Sequence, residues 1–206
     1  MSKKISNPTK TGNIIIVSAP SGAGKSSICE AVVASDEKNI IYSVSYTTRP
    51  PRKGEKNGRD YFFVDEKSFK MMVEKGKFAE WARVHGSYYG TSQELIDKVL
   101  DAGKDVLLEI DVHGGINIKK QYPDKTCMIF IMAPDFKTLE ERLIARNKDC
   151  KEAIDTRMAN AKKELGYLPE YDYLIINRNL NDAVESVKII IKSLKYKVQK
   201  NITYFS

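Results

Sequence analysis

The segment Ala19-Pro20-Ser21-Gly22-Ala23-Gly24-Lys25-Ser26 limits the architecture of this chain more than any other, because of what stands on either side of it. The apolar run Ile14-Ile15-Ile16-Val17 precedes it, and Ser27-Ile28-Cys29-Glu30-Ala31-Val32-Val33 follows with the pattern of a helix's first turns. Strand, glycine-bearing loop and helix in that order read as a phosphate-binding loop. The glycines let successive N–H groups turn inward, and the helix adds the positive end of its dipole. Lys25 brings a mobile ammonium to the β- and γ-phosphates of a nucleotide, and Ser26 offers a hydroxyl to Mg²⁺. The usual pattern, G-x-x-x-x-G-K-[ST], has glycine where this chain has Ala19. A small residue fits there when its φ is negative, and Gly24 and Lys25 keep the phosphate end of the motif intact.

With 206 residues the chain has room for one α/β core with sizeable insertions. Hydrophobic residues make up 42% and charged residues 30%, and no apolar run approaches the ~18 residues of a membrane span, so a soluble protein is expected. The first residues, Met1 to Pro8, lack the apolar core of a secretory signal, which points to the cytoplasm. Cys29, Cys127 and Cys150 are odd in number, far apart and without C-x-x-C spacing, so free thiols are expected in place of a disulfide or zinc framework. The net charge of +7 suits anionic partners, but the lysines are scattered along helix faces and do not cluster with aromatics. A solvated lysine-rich surface with a few arginines kept for phosphates accounts for the balance better than nucleic-acid binding.

In chain order, the pattern predicts a strand at 14–18, a helix at 25–34 and a second strand at 40–45. Residues 47–60, rich in Arg, Pro and Gly, form a long irregular segment of the kind that is usually functional. A short strand at 61–64, a helix from Glu66 to Lys75 stopped by Gly76, and a strand at 78–84 are too small for a core of their own, so 45–91 reads as a lobe inserted into a parallel sheet. Ser92 caps a helix to about Ala102, and a buried strand spans 105–111. Helix 115–121, strand 127–132, helices near 136–146 and 151–166, strand 173–177 and an amphipathic helix near 180–198 follow; the last six residues carry no assignment. Strands alternating with helices after a phosphate loop imply an α/β fold, a parallel sheet wrapped on both faces.

Four constellations could carry chemistry. Arg49 and Arg52, with Tyr61 and Tyr89, supply two guanidinium forks and two phenols suited to a second phosphate; the other reading of Arg-Pro-Pro-Arg is an extended surface turn. Period-two alternation puts Glu80 on one face with Phe78, Ala82 and Val84, where it needs either an arginine or a ligand with two adjacent donors. Glu109 and Asp111, alternating about Ile110, share a face at the carboxyl end of a central strand, where they could orient a metal-bound water, receive a ligand hydroxyl or pair with Lys25. Arg142 and Arg146 share a helical face, and Arg157 follows on the next helix; three arginines over a phosphate loop either neutralise a transferring phosphoryl group or form a solvated face paired with glutamates. His85 and His113 have no neighbouring nucleophile and receive no catalytic role.

These stretches together resemble the guanylate kinase family over nearly the whole chain: Ser-Ala-Pro-Ser-Gly-Ala-Gly-Lys-Ser-Ser at 18–27, Ser-Val-Ser-Tyr-Thr-Thr-Arg-Pro-Pro-Arg at 43–52, Gly-Arg-Asp-Tyr at 58–61, Glu80-Trp81, Tyr88-Tyr89-Gly90-Thr91 and Leu-Glu-Ile-Asp at 108–111. The resemblance implies transfer of the γ-phosphate of ATP to GMP, with dGMP as a further acceptor, by in-line displacement with Mg²⁺. It implies a phosphate-loop core over 1–44, 92–134 and 166–206, a β-rich GMP-binding lobe over 45–91 and a helical lid over 135–165. On this likeness Ala19 to Ser27 and Asn177 belong to the ATP site, with Ser26 on the metal. Ser45, Glu80 and Thr91 read guanine, Arg49, Arg52, Tyr61 and Tyr89 hold the acceptor phosphate, and Glu109 and Asp111 are acidic positions of the acceptor site. Lys25, Arg49, Arg142, Arg146 and Arg157 are the catalytic cations. The partners implied are ATP and GMP, without nucleic acid or membrane, and a homodimer is compatible with the sequence.

Overall fold

The computed structural model describes residues 12–84, 86–145 and 151–197. The elements of the first half are β1 (Ile14–Ser18), α1 (Lys25–Ser35), β2 (Ile40–Tyr42), β3 (Tyr46–Thr47), β4 (Phe62–Phe63), α2 (Glu66–Glu74), β5 (Phe78–Val84) and β6 (Ser87–Ser92). Then come α3 (Gln93–Asp101), β7 (Asp105–Glu109), α4 (Val112–Gln121), β8 (Thr126–Met132), α5 (Phe136–Ala145), α6 (Lys151–Glu164), β9 (Tyr173–Ile176) and α7 (Leu180–Ser193).

Five strands form an all-parallel sheet in the order β2-β7-β1-β8-β9. Alternation divides its central strands between two layers of helices. Ile15, Val17, Leu107, Ile129 and Ile131 share a cluster with Ile28 and Val32 of α1 and Val187 and Ile191 of α7. Ile14, Ile16, Val106, Leu108 and Met128 pack with Ile96, Val99 and Leu100 of α3 and Ile118 of α4. Each such side chain taken fully out of water contributes roughly 1.5–3 kcal/mol, and all five residues of β1 are buried, so the strand that leads into the phosphate loop is fixed from both sides. The expected α/β architecture is present. Among the described residues, no helix is long and apolar enough to cross a membrane.

A second sheet, β4-β3-β6-β5, is built from residues between β2 and α3. The sequence pattern predicts one strand over 40–45, but pairing with β7 ends at Tyr42 and the chain crosses to the second sheet, where Tyr46 lies beside Phe62 and Gly90. Both halves of that run have strand-forming residues, so its composition does not mark the change of sheet. The sequence reading also lacks β6, whose polar Ser-Tyr-Tyr-Gly-Thr-Ser run has no apolar alternation; it pairs antiparallel with β5. The strand expected at 105–111 ends at Glu109, and the helix expected at 115 begins at Val112 with Gly114 and Gly115 inside it. Helices α3 and α7 are capped by Ser92 and Asn179, whose side chains accept from Leu95 N at 3.3 Å and Asp182 N at 2.9 Å.

Candidate active site

The loop between β1 and α1 takes its shape from two glycines in the left-handed region, Gly22 at φ 95° and Gly24 at φ 93°. Gly24 is the residue before α1, so the free N–H groups of the helix start lie at the loop. Pro20 O accepts from Ala23 N at 3.1 Å, closing the turn. Ala23 is fully buried, and its carbonyl accepts from Asn177 Nδ2 at 2.8 Å. A Cβ on Gly24 would stand 2.5 Å from that same Nδ2. Asn177 is therefore a buttress under the loop. With Gly22, Gly24, Ser27, Arg142 and Arg178 it also lines a cavity of about 500 Å³ on the α5 side. Ala19 packs against the core beside β1.

Of the three expected arginines, one bonds this loop and another bonds the residue that buttresses it. Arg157 on α6 donates to Ser21 Oγ at 2.5 Å, and Arg142 on α5 donates to Asn177 O at 3.0 Å. Arg146 lies outside the described residues.

On the other side of the loop stands Glu109, the last residue of β7. Its Oε1 accepts from Ser26 Oγ at 2.6 Å and lies 3.9 Å from Lys25 Nζ, while its Oε2 accepts from Tyr42 Oη at 2.9 Å. Burial, and then the charge of Glu109, push the Tyr42 phenol far up, so it stays protonated and donates. Ser26 and Glu109 are hard oxygen donors of the kind Mg²⁺ takes alongside nucleotide phosphates and water. Among the described residues no three His, Cys, Asp or Glu side chains converge on one point, so an ion here would draw most of its ligands from the nucleotide and water.

Asp111 does not share a strand face with Glu109 as the alternation suggests. It lies beyond the strand as the cap of α4, accepting from Gly114 N at 2.9 Å. An Asp followed three residues later by a backbone donor at a helix start is a capping pattern, and it was legible in Asp-Val-His-Gly.

Glu80 lies on β5, where an extra residue at Ala79 shifts the register: Phe78 pairs with Ser92 but Glu80 with Thr91. The bulge removes Phe78 from the face of Glu80. Phe78 stacks on Phe69 of α2 at 4.6 Å, while Glu80 turns to the other side. Its partner is no arginine. Thr91 Oγ1 donates to Glu80 Oε1 at 2.6 Å, and Glu80 is only 9% exposed. Burial pushes its carboxyl up to about 7, with the charge of Asp111 adding to the rise and the Thr91 bond opposing it. Gly114 makes room for this carboxylate, since a Cβ there would stand 2.8 Å from Oε2. Gln121 at the other end of α4 ties down the bulge by donating to Ala79 O at 2.6 Å.

Arg49, Arg52 and Tyr61 line one open cavity of about 860 Å³ together with Ser26, Tyr42 and Glu109. The guanidinium of Arg49 lies 5.5 Å from the Tyr61 ring centre, and Tyr89 meets Tyr61 edge-on at 5.9 Å. Glu55 organises the turn between the arginines. Its Oε1 is 2.8 Å from Arg49 Nη2 and its Oε2 accepts from Arg52 N at 2.6 Å. Neither Glu55 nor Tyr42 stood out in the sequence, because a lone carboxylate in a charged loop and an aromatic ending a strand carry no periodic or motif signal. Ser45 lies at the crossing between sheets, where its carbonyl accepts from Phe62 N at 2.9 Å.

A phosphate loop at the end of a central parallel strand, beside a cavity shared with the arginines of the β3–β4 loop, defines the class: a phosphate-loop α/β protein. The guanylate kinase family model matches residues 11–194. The chain is 43% identical to the guanylate kinase of Thermotoga maritima over 190 residues, covering 92% of this chain and 91% of that one. It is 46% identical to that of Syntrophotalea carbinolica over 182 residues, covering 88% and 86%. The crystal structure of guanylate kinase from Anaplasma phagocytophilum superposes with a TM-score of 0.79 at 29% identity, covering 95% of this chain and 92% of that one. The chain belongs to the guanylate kinase family.

Proposed function

We propose that the protein transfers the γ-phosphate of ATP to GMP, giving ADP and GDP, with residues 45–91 as the GMP-binding lobe and 135–165 as a lid over ATP. The observation that carries this reading is the cavity that Ser26 and Glu109 of the phosphate-loop side line together with Arg49, Arg52 and Tyr61 of the segment between β3 and β4. A donor phosphate held by the loop and an acceptor phosphate held by the arginines would meet there.

In this reading the backbone of Gly22 to Ser26 cradles the β- and γ-phosphates, and Lys25 takes up charge on the transferring group. Mg²⁺ bound with ATP supplies further neutralisation, with Ser26 as its protein ligand. Arg142 and Arg157, with Arg146 outside the described residues, cover the donor from α5 and α6. Arg49, Arg52, Tyr61 and Tyr89 hold the acceptor phosphate, and Glu80 with Thr91 and Ser45 reads the base. Glu80, with Thr91 on its Oε1, is the carboxylate that would receive guanine's adjacent N1–H and N2–H₂. Closure excludes water, which would otherwise accept the phosphate. The attacking phosphate oxygen is ionised at neutral pH, so transfer proceeds by positioning and electrostatics without a general base. The proposed setting is the cytoplasm, where both nucleotides occur, and the proposed partners are the nucleotides alone.

A coupled assay with ATP, Mg²⁺ and a panel of nucleoside monophosphates tests the proposal. GMP should be the best acceptor, dGMP should follow, and AMP, CMP and UMP should be poor. Comparable rates with AMP and GMP would overturn it.

A further inference from the structure

Tyr42 stands at a junction. It ends β2, pairing with Leu107 two residues before Glu109, and the chain leaves the parallel sheet immediately after it. In a strand, residues two apart project from the same face, so the Tyr42 side chain lies diagonally beside that of Glu109. The phenol donates to Glu109 Oε2 at 2.9 Å, and this leaves Oε1 directed to Ser26 Oγ, 2.6 Å away, and away from a closer pairing with Lys25 Nζ at 3.9 Å.

We propose that Tyr42 is a positioning residue for the metal side of the site: its hydroxyl holds Glu109 in the one orientation that presents a carboxylate oxygen beside Ser26. The idea rests on the reading of Ser26 as the protein's Mg²⁺ ligand. Without the phenol, Oε2 has no described partner and the carboxylate is free to rotate onto Lys25. That would weaken the metal site and neutralise the ammonium needed by the γ-phosphate. Groups that orient a ligand from behind are worth about 10- to 100-fold in metal affinity when removed. Because the tyrosine ends the strand that feeds the second sheet, the same hydroxyl links the base of the acceptor side to the carboxylate of the donor side.

The test is calorimetric binding of the non-hydrolysable imido analogue of ATP, with and without Mg²⁺, to wild type, Tyr42→Phe, Glu109→Ala and the double variant. Tyr42→Phe keeps the ring and its packing. It should bind the metal-free analogue no more tightly than wild type does, and lose about a further 10-fold of the affinity that Mg²⁺ adds. In the Glu109→Ala background the same change should have no further effect. An unchanged Mg²⁺ increment in Tyr42→Phe overturns the proposal, as does an equal loss in the Glu109→Ala background, which would mean the hydroxyl does not act through the carboxylate. If wild type itself gains nothing from Mg²⁺, it is the reading of Ser26 that fails.

Discussion

The phosphate loop and the lobe built on the four-stranded sheet present their polar groups by opposite means. The loop uses backbone: its N–H groups are aimed by two left-handed glycines, by the fully buried strand β1 beneath it and by Asn177 bonded to Ala23 O. The lobe uses side chains: Arg49 and Arg52 on the β3–β4 loop are tied to Glu55, and Glu80 on β5 is held by one threonine hydroxyl. Backbone fixed by a core tolerates the loss of an exposed side chain without losing its shape. A charged group buried beside a single partner is costly to keep and informative to remove. Function on the loop side should therefore separate cleanly from stability, whereas on the sheet side the two should trade against each other.

The largest separation is expected at Lys25. Lys25→Met leaves β1, the glycines and Asn177 in place, so its melting temperature should stay close to wild type while kcat falls at least ~100-fold, the effect of removing one strong electrostatic donor. A folded variant with near wild-type turnover would mean that Lys25 takes up no charge on the transferring group.

Gly114→Ala probes the sheet side from outside it. Alanine improves the helix propensity of α4 by up to ~1 kcal/mol, but its Cβ would press on Glu80 Oε2 from 2.8 Å. We expect the KM for GMP to rise about 5-fold, equivalent to roughly 1 kcal/mol of lost contact, and the KM for ATP to stay within twofold. Equal changes in both constants would show that Gly114 acts on the whole fold and not through Glu80.

The third effect is thermodynamic, and shows in stability and not in rate. Burial lifts the Glu80 carboxyl from an ordinary 4.5 to about 7. A carboxyl that holds its proton more tightly when folded loses stability as pH rises between those values, and above about 7 the cost is complete. Glu80→Gln should therefore be stabilised relative to wild type at pH 8, by at most about 3 kcal/mol, with the advantage shrinking toward pH 5. Melting curves of both proteins across that range give the sign directly. A variant that is less stable at pH 8 than at pH 5, relative to wild type, would mean that the ionised carboxylate is welcome where it sits.

The same division explains what the sequence made legible. The phosphate loop, β1 and the Ser92 cap are local: each is set by residues adjacent in the chain, so spacing alone announces them. The second sheet depends on non-local pairing. The change of sheet after Tyr42 and the bulge at Ala79 occur where local propensity is satisfied either way. Only the partner strand decides, and it comes from residues as far on as 87–92. The helix expected from Gly115 begins three residues earlier, so Gly114 lies inside α4, where a Cβ would stand 2.8 Å from Glu80 Oε2. Glu80 itself was visible as a misplaced carboxylate, but its Thr91 partner and the glycine that accommodates it were not.

Selection of the base by this buried carboxylate is tested by kcat/KM for GMP and for AMP in wild type and in Glu80→Gln. Guanine offers N1–H and N2–H₂ to an ionised carboxylate, whereas adenine presents a bare N1 acceptor that would face it lone pair to lone pair. Glu80→Gln should lose about 30- to 1000-fold in kcat/KM for GMP, as expected for roughly 2–4 kcal/mol of charged bidentate contact, while AMP use stays equal or improves slightly. An unchanged ratio between the two substrates would contradict it, leaving Glu80 a structural carboxylate and the base read elsewhere.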